Sequence, residues 1–466
     1  MPNGVGPSTH RAGVGVRGAA LRVLVLALLG LPACGSAGST APTPTPVPTP
    51  VPTATPRPAR HAPTRDLGVA LNLPGQIEQV SLAVHPRDGW PAVVALSYWN
   101  FSTDPAMLFV RAYDPTVGTW GAAQQLDLGP SSLGADAFHG AALAVDREGR
   151  ITAVWGASDS DGGVWTSTSD DAGQRWSAPL RLATGCWQVR SAVATPDGQI
   201  VALAFCTHTT PDQNGSGPTL LTRTAAGDWL PPQPVPVVAW DGALVVSDNQ
   251  VLALVVPYLG GDQPHAGFVL TRPLGEPGAS WGVQPVPLVP AGQSPEALGL
   301  YGWHVQGVAI AGGALFSYTG YDRPSAFSLV VRAGLPLEPQ AITAEEESSG
   351  ERGRSLWYAA PGYEPASDRL AAVWGCCGSP LDRRATPLYG AWATAGGAWF
   401  AALQQQPATA EGAALGLEGA QVEALVSAQA PGERTLWLAW VEAGRSVLVR
   451  SLAVDQLVPP AQEAQP

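Results

Sequence analysis

Tyr318, Tyr321, Asp322 and Arg323 put two phenols, a carboxylate and a guanidinium close together in the chain. They form the only compact Tyr/Asp/Arg group of the chain, and it matches no recognisable motif. A pair of carboxylates for glycoside hydrolysis cannot be picked from the sequence, because the two would come from distant segments. Metal chemistry finds less support. The histidines are scattered without ligand-like spacing, and Asp159-Ser160-Asp161-Gly162 starts like a calcium turn but lacks the rest of a binding loop. It reads as a solvated hairpin, and no cofactor or metal is expected. The chain has no lysine, a net charge of −12 and no glycine-rich phosphate loop followed by a lysine. Nucleic acid and nucleotides are therefore not expected partners.

What would position these groups is a module repeated with a period of roughly 50 to 65 residues, the mark of a propeller. Each copy holds an alternating apolar strand, a turn, a second apolar strand ending in an aromatic, and a third strand. The second strands read Val93 to Trp99, Ile151 to Trp155, Ile200 to Phe205, Val251 to Tyr258, Ala314 to Tyr318, Leu370 to Trp374 and Thr435 to Trp440. Asp88-Gly89, Asp197-Gly198 and Gly312-Gly313 are among the hairpin turns that precede them. No sustained helical period occurs. The expected fold is all-β: a propeller of four-stranded blades, seven in number with six as the alternative. The segment Leu67 to Leu73 resembles an outer strand and is expected to close the ring on the last blade, which would otherwise keep an open edge. Five third strands carry an arginine: Arg111, Arg223, Arg272, Arg332 and Arg450. They are expected to cover sheet edges or pair with the next blade, rather than to line an anion site.

Ser169-Asp170-Asp171-Ala172-Gly173-Gln174-Arg175-Trp176 follows one third strand. Ser169 and Asp171 can bond backbone N–H groups across a tight turn, Gly173 can take a positive φ, and Trp176 can pack back on the blade. The pattern resembles the Asp-box, or BNR repeat, of sialidase-like β-propellers. In that family the box is a structural turn away from the catalytic pocket. The resemblance implies a six-bladed ring for an enzyme, with an arginine triad, a Tyr–Glu pair, an Asp and an Arg-Ile-Pro motif near the first blade. This chain has Val110-Arg111-Ala112 there, and no Tyr–Glu pair aligns. Sialidase turnover is therefore not expected.

The blade topology puts second-strand ends and first-strand starts on one face, opposite the Ser169 turn. That face collects Trp99, His139, Trp155, Trp187, His208, Tyr258, His304, Tyr318, Tyr321, Trp374 and Trp440. Aromatic platforms with a few polar groups suit sugars and other flat, partly apolar ligands, so these are the candidate ligand-binding residues.

The chain's beginning adds a compartment. Arg11, Arg17 and Arg22 precede the apolar run Val23 to Leu31, a secretory signal too short to span a bilayer. Leu31-Pro32-Ala33-Cys34 resembles the bacterial lipobox, which implies cleavage before Cys34 and a lipid anchor on it. The expected domains are a signal peptide over 1–33, a Thr/Pro-rich linker over 34–65, the propeller over 66–458 and a tail over 459–466. An exported chain permits disulfides among Cys186, Cys206, Cys376 and Cys377. Cys186 and Cys206 flank the turn at Pro196-Asp197-Gly198 symmetrically, and a bridge between them is expected. Cys376-Cys377 could form a vicinal pair, stay free or crosslink to the first pair. The leading reading is an exported bacterial lipoprotein, on the extracytoplasmic face of the membrane, displaying the propeller as a binding or scaffold domain for carbohydrate or an exported protein. Its rivals are an exo-sialidase-like glycoside hydrolase and a protein–protein assembly module.

Overall fold

A computed structural model describes residues 76–457, apart from 101–103, 127–140, 158–162, 211–212, 249, 258–265, 277, 293–301, 321–325, 343–355, 377–384, 402–412, 421 and 443–445. The described residues form seven antiparallel sheets, each built around a meander of consecutive strands with one extra outer strand in two of them, which makes a seven-bladed β-propeller. The alternative of six blades is set aside. Apart from a short 3-10 turn at Val454–Gln456 the described residues are all strand, turn and loop. Among them no helix is long and apolar enough to cross a membrane.

The blades follow chain order. Blade 1 holds β1 (Gln76–Val84), β2 (Pro91–Asn100), β3 (Asp104–Asp114), β4 (Thr119–Trp120) and β5 (Gln124–Gln125). Blade 2 holds β6 (Ala142–Val145), β7 (Ile151–Ala157), β8 (Gly163–Ser169) and β9 (Leu180–Thr184). Blade 3 holds β10 (Cys186–Ala194), β11 (Ile200–Thr210), β12 (Gln213–Arg223) and β13 (Gln233–Pro234). Blade 4 holds β14 (Asp241–Val246), β15 (Gln250–Val256), β16 (Ala266–Pro273) and β17 (Gly282–Pro287). Blade 5 holds β18 (Gly302–Ile310), β19 (Gly313–Gly320), β20 (Ala326–Arg332) and β21 (Gln340–Ala341). Blade 6 holds β22 (Leu356–Glu364), β23 (Arg369–Cys376), β24 (Ala385–Thr394), β25 (Phe400–Ala401) and β26 (Ala413–Ala420). Blade 7 holds β27 (Val422–Ala428), β28 (Thr435–Glu442) and β29 (Ser446–Ala453).

Sequence explains the radial gradient. A second strand packs against blades on both sides, so it reads as an unbroken apolar run rather than an alternation. In β15, Val251 to Val256 are all buried. The outer strand β17 reads GVQPVP and is largely exposed. Its Pro285 and Pro287 remove edge donors, which discourages pairing with another chain.

Seven hydrophobic clusters fill the seven blade interfaces. One joins blades 7 and 1: Trp437, Ala439, Val441 and Val449 pack on Ile77, Val80, Val94 and Tyr113. The Trp437 indole N–H donates to the Gly89 carbonyl at 2.7 Å across the same seam. Ring closure among the described residues therefore rests on core packing. The expected closing strand, Leu67 to Leu73, lies outside them, and blade 7 shows three paired strands.

The Ser169 turn forms the bonds its residue types suggest. Gly173 N–H donates to Ser169 Oγ at 2.8 Å and Ser169 Oγ donates to Asp171 Oδ1 at 2.9 Å. Arg175 N–H donates to Asp171 Oδ1 at 2.8 Å. Gly173 has φ +84°, and a Cβ there would lie 2.2 Å from the Ala112 Cβ of blade 1. Trp176 packs against the core between blades 1 and 2. Cys186 and Cys206 are direct partners in the register of β10 and β11 and are joined by a disulfide. Cys376 ends β23, its side chain undescribed; Cys34 and Cys377 lie outside the described residues.

Four of the third-strand arginines make contacts within the scaffold. Arg272 donates to Thr222 Oγ1 of blade 3 at 2.9 Å and lies over the Trp281 ring. Arg332 reaches Asp368 of blade 6. Arg111 and Arg223 bond carbonyls in their own blades' outer turns, at Gly121 and Gly227.

Candidate functional site at the channel mouth

Innermost strands of six blades line a central cavity of about 290 Å³, walled mostly by Ala and Val. Gln306 of β18 narrows it. Its Nε2 donates to the Leu425 carbonyl at 2.8 Å and its Oε1 accepts from Ser427 N–H at 3.1 Å, so one amide bridges blade 5 to blade 7 past blade 6. At the end where the innermost strands begin, blades 3, 4 and 5 contribute a polar cluster. Arg190 comes from β10, Asp241 opens β14 and His304 lies near the start of β18.

Asp241 is the hub. Its Oδ1 accepts from Gly242 N–H at 2.6 Å and sits 3.2 Å from Arg190 Nε; its Oδ2 accepts from His304 N–H at 2.8 Å. The Val305 N–H also favours the ionised carboxylate. A break in the β18–β19 register between Trp303 and Gln306, with His304 at φ +56°, turns these two N–H groups toward the carboxylate. Burial pushes the Asp241 carboxyl up, against the opposing pull of Arg190 and the backbone donors. Burial, with the Arg190 guanidinium beside it, pushes the His304 imidazole down to about 3, so it is neutral at physiological pH. With both oxygens engaged by fixed donors, Asp241 ties blades 3, 4 and 5 together in a clamp.

Beside the clamp stands an aromatic pair. Trp187 of β10 and Trp240, just before β14, have ring centroids 4.4 Å apart, and both are partly exposed. Trp187 also leans on Phe205. Buried Gln188 donates from Nε2 to the Trp240 carbonyl, which ties the two strand starts together.

The expected ligand face separates into three groups. Trp187 pairs with Trp240, the residue before Asp241, and His304 donates its backbone N–H to Asp241. Trp155, Tyr318, Trp374 and Trp440 are corrected: all four are buried between blades and present no surface to a ligand. Trp155 packs in the core of blades 1 and 2, and Trp440 in that of blades 6 and 7. Tyr318 donates its hydroxyl to the Leu288 carbonyl at 2.9 Å, and burial pushes its pKa far up. Trp374 stacks on Tyr389. For Trp99 and His208 only strand positions in β2 and β11 are described, and His139, Tyr258 and Tyr321 lie outside the described residues. Sequence reading missed Arg190, Trp240 and Asp241. The available signal was a charge inside an otherwise apolar first strand, as in CWQVRSAVA and DGALVV.

No protein-family model matches the chain, and no curated protein matches it either. Solved structures do. A polysaccharide lyase, an ulvan lyase, aligns at a TM-score of 0.50 with 12% identity, over 85% of this chain and 95% of that one. A Hadza microbial sialidase aligns at 0.47 with 14% identity, over 84% and 69%. The α-L-arabinanase of Penicillium chrysogenum aligns at 0.41 with 12% identity, over 67% and 93%. These neighbours are propeller glycosidases and lyases, and at such identities the likeness is one of fold.

Proposed function

We propose that this chain is an exported bacterial lipoprotein, anchored through Cys34, whose propeller serves as a non-catalytic glycan-binding module. The observation that carries the binding reading is the Trp187–Trp240 pair, partly exposed at the channel mouth beside a carboxylate already engaged on both oxygens. An aromatic platform next to a fixed polar cluster gives a sugar an apolar face to stack on and few groups to titrate. The ulvan lyase of similar fold is a polysaccharide lyase, which agrees with a glycan ligand without identifying it. The Ser169 turn belongs to this reading as an Asp-box, a scaffold feature on the far face. The anchor rests on the lipobox-like ending Leu31-Pro32-Ala33-Cys34 behind a short apolar run.

The test is a glycan array on the full chain, paired with a fluorogenic sialoside assay. Trp187→Ala with Trp240→Ala should weaken the strongest glycan interaction by tenfold or more while thermal unfolding stays cooperative. Glycan binding that ignores both substitutions removes this site from the reading. Sialoside turnover by the wild-type chain would instead establish the hydrolase reading. Equal palmitate labelling of wild type and Cys34→Ala would remove the anchor.

A further inference from the structure

Trp187 of the aromatic pair sits on an irregular backbone. It falls in a break of the β10–β11 register between Cys186 and Gln188, and a second break follows between Val189 and Ser191. Regular pairing with β11 therefore does not set the direction of its ring. Three other features hold it. The Cys186–Cys206 disulfide pins the residue before it. Gln188, the residue after it, is fully buried and donates from Nε2 to the Trp240 carbonyl of blade 4. The third is Gly156, buried in β7 of blade 2. A Cβ on Gly156 would lie 2.8 Å from the Trp187 carbonyl oxygen, 2.7 Å from the Gln188 Cα and 2.9 Å from the Gln188 N. All three are backbone atoms, so no rotamer change makes room. The close approach of β10 to blade 2 at this point requires a residue without a side chain.

Gln188 is an expensive residue for this place. Among the described residues its Oε1 has no hydrogen-bond partner. A buried amide engaged on one side only costs stability. Methionine has similar length and fills irregular core space without that cost. What the amide does hold is the carbonyl of Trp240, whose partly exposed ring lies 4.4 Å from that of Trp187.

We propose that Gly156 and Gln188 are positioning residues of the Trp187–Trp240 pair. Both are buried; Gly156 sets how closely the start of β10 settles on blade 2, and Gln188 carries that position across the seam to Trp240. Together they fix the separation and tilt of the two rings before a ligand arrives. A platform already in place spares the ligand the ordering of two large side chains. The effect on affinity rests on the glycan-binding reading of the pair; the ring geometry does not.

Far-ultraviolet circular dichroism of the full chain tests it, because two indoles in contact give an exciton couplet that reads their geometry without a ligand. The part of the signal lost in Trp187→Ala belongs to this pair. Gln188→Met should reduce that part by roughly half or more, and weaken the strongest interaction on the glycan array roughly fivefold or more, while the thermal midpoint is unchanged or raised. Gly156→Ala should reduce the couplet likewise, with a lower midpoint. Gly313→Ala, at the start of β19 on the far face, is the control for strain alone: a Cβ there would meet the Val331 carbonyl oxygen at 1.9 Å. It should lower the midpoint and leave the couplet intact. If Gly156→Ala does not fold, Gln188→Met decides alone. An unchanged couplet in Gln188→Met overturns the proposal. A couplet lost only together with cooperative unfolding also overturns it, because the residue would then serve the fold rather than the pair. A reduced couplet with unchanged glycan binding supports the positioning and removes the pair from the glycan reading, so the two failures are distinct.

Discussion

Arg190–Asp241 and Arg175–Asp171 are chemically the same pair, 3.2 and 2.8 Å between charged atoms, placed in opposite surroundings. At the channel mouth the two side chains are 9% and 2% exposed; on the Ser169 turn they are 89% and 30% exposed. Arg332–Asp368, between blades 5 and 6, lies in between at 22% and 47%. Each pair is also tied to an unusual backbone. Among the described residues, the non-glycine positions with positive φ are Ala172, His304 and Asp368, one at each pair. A left-handed L-residue costs about 1 kcal/mol or more. Local side-chain bonds to the turn or bulge are what hold it there, and their strength should follow burial rather than distance.

The largest effect is therefore expected at Asp241. Asp241→Ala strands a buried Arg190 of blade 3 and releases backbone N–H groups of blades 4 and 5. Removing one partner of a buried pair costs about 3–5 kcal/mol, and chemical denaturation should show a loss of that order. A loss below 1 kcal/mol would mean that water enters the cluster, and the contrast with the exposed pair would collapse.

Asp368 sharpens the middle of the series. It accepts a two-pronged contact from Arg332 at 2.8 and 3.2 Å and a bond from the Tyr363 hydroxyl at 2.7 Å. Asp368→Asn keeps a residue type that tolerates positive φ and removes only the charge. The expected loss is about 1 kcal/mol. A double-mutant cycle with Arg332→Ala isolates the coupling, and a coupling as large as that at Asp241 would show that exposure does not set the order.

The same contrast explains what could be read from the sequence. Strands such as Val251 to Val256 were legible because a strand buried on both faces must be apolar throughout. The bonds of the Ser169 turn were legible because all its partners lie within a few residues. The clamp was not. Arg190 and Asp241 meet through blade packing, and nothing near either in the chain names the other. His304 could be marked as a polar residue near a strand start, but not as the bulge whose N–H reaches Asp241. The second-strand aromatics failed differently. An aromatic at a strand end looks the same in sequence whether it turns to the rim or between blades, and in Trp155, Tyr318, Trp374 and Trp440 the larger apolar burial lies between blades.

The smallest expected effect is at the exposed end of the series and is read as a titration rather than a loss of fold. The Arg175 side chain and backbone N–H, with Ser169, hold the Asp171 carboxyl down to about 2, well below its ordinary 3.8. A carboxyl depressed in the folded state contributes stability above its unfolded value, and that contribution fades as pH falls from near 4 through 2. Carbon-detected NMR of the Asp171 side chain should give a midpoint near 2 in wild type. In Arg175→Ala the midpoint should move upward, while the turn stays formed because the Arg175 backbone donor and Ser169 remain. Added salt should shift the wild-type midpoint the same way, since this pair is open to solvent. The Asp241 clamp, its side chains 9% and 2% exposed, should keep its Arg190 coupling across the same salt range. A midpoint near 3.8 with Arg175 intact, or an Asp241 as salt-sensitive as Asp171, would show that the two pairs share one environment and would undo the contrast between the two faces.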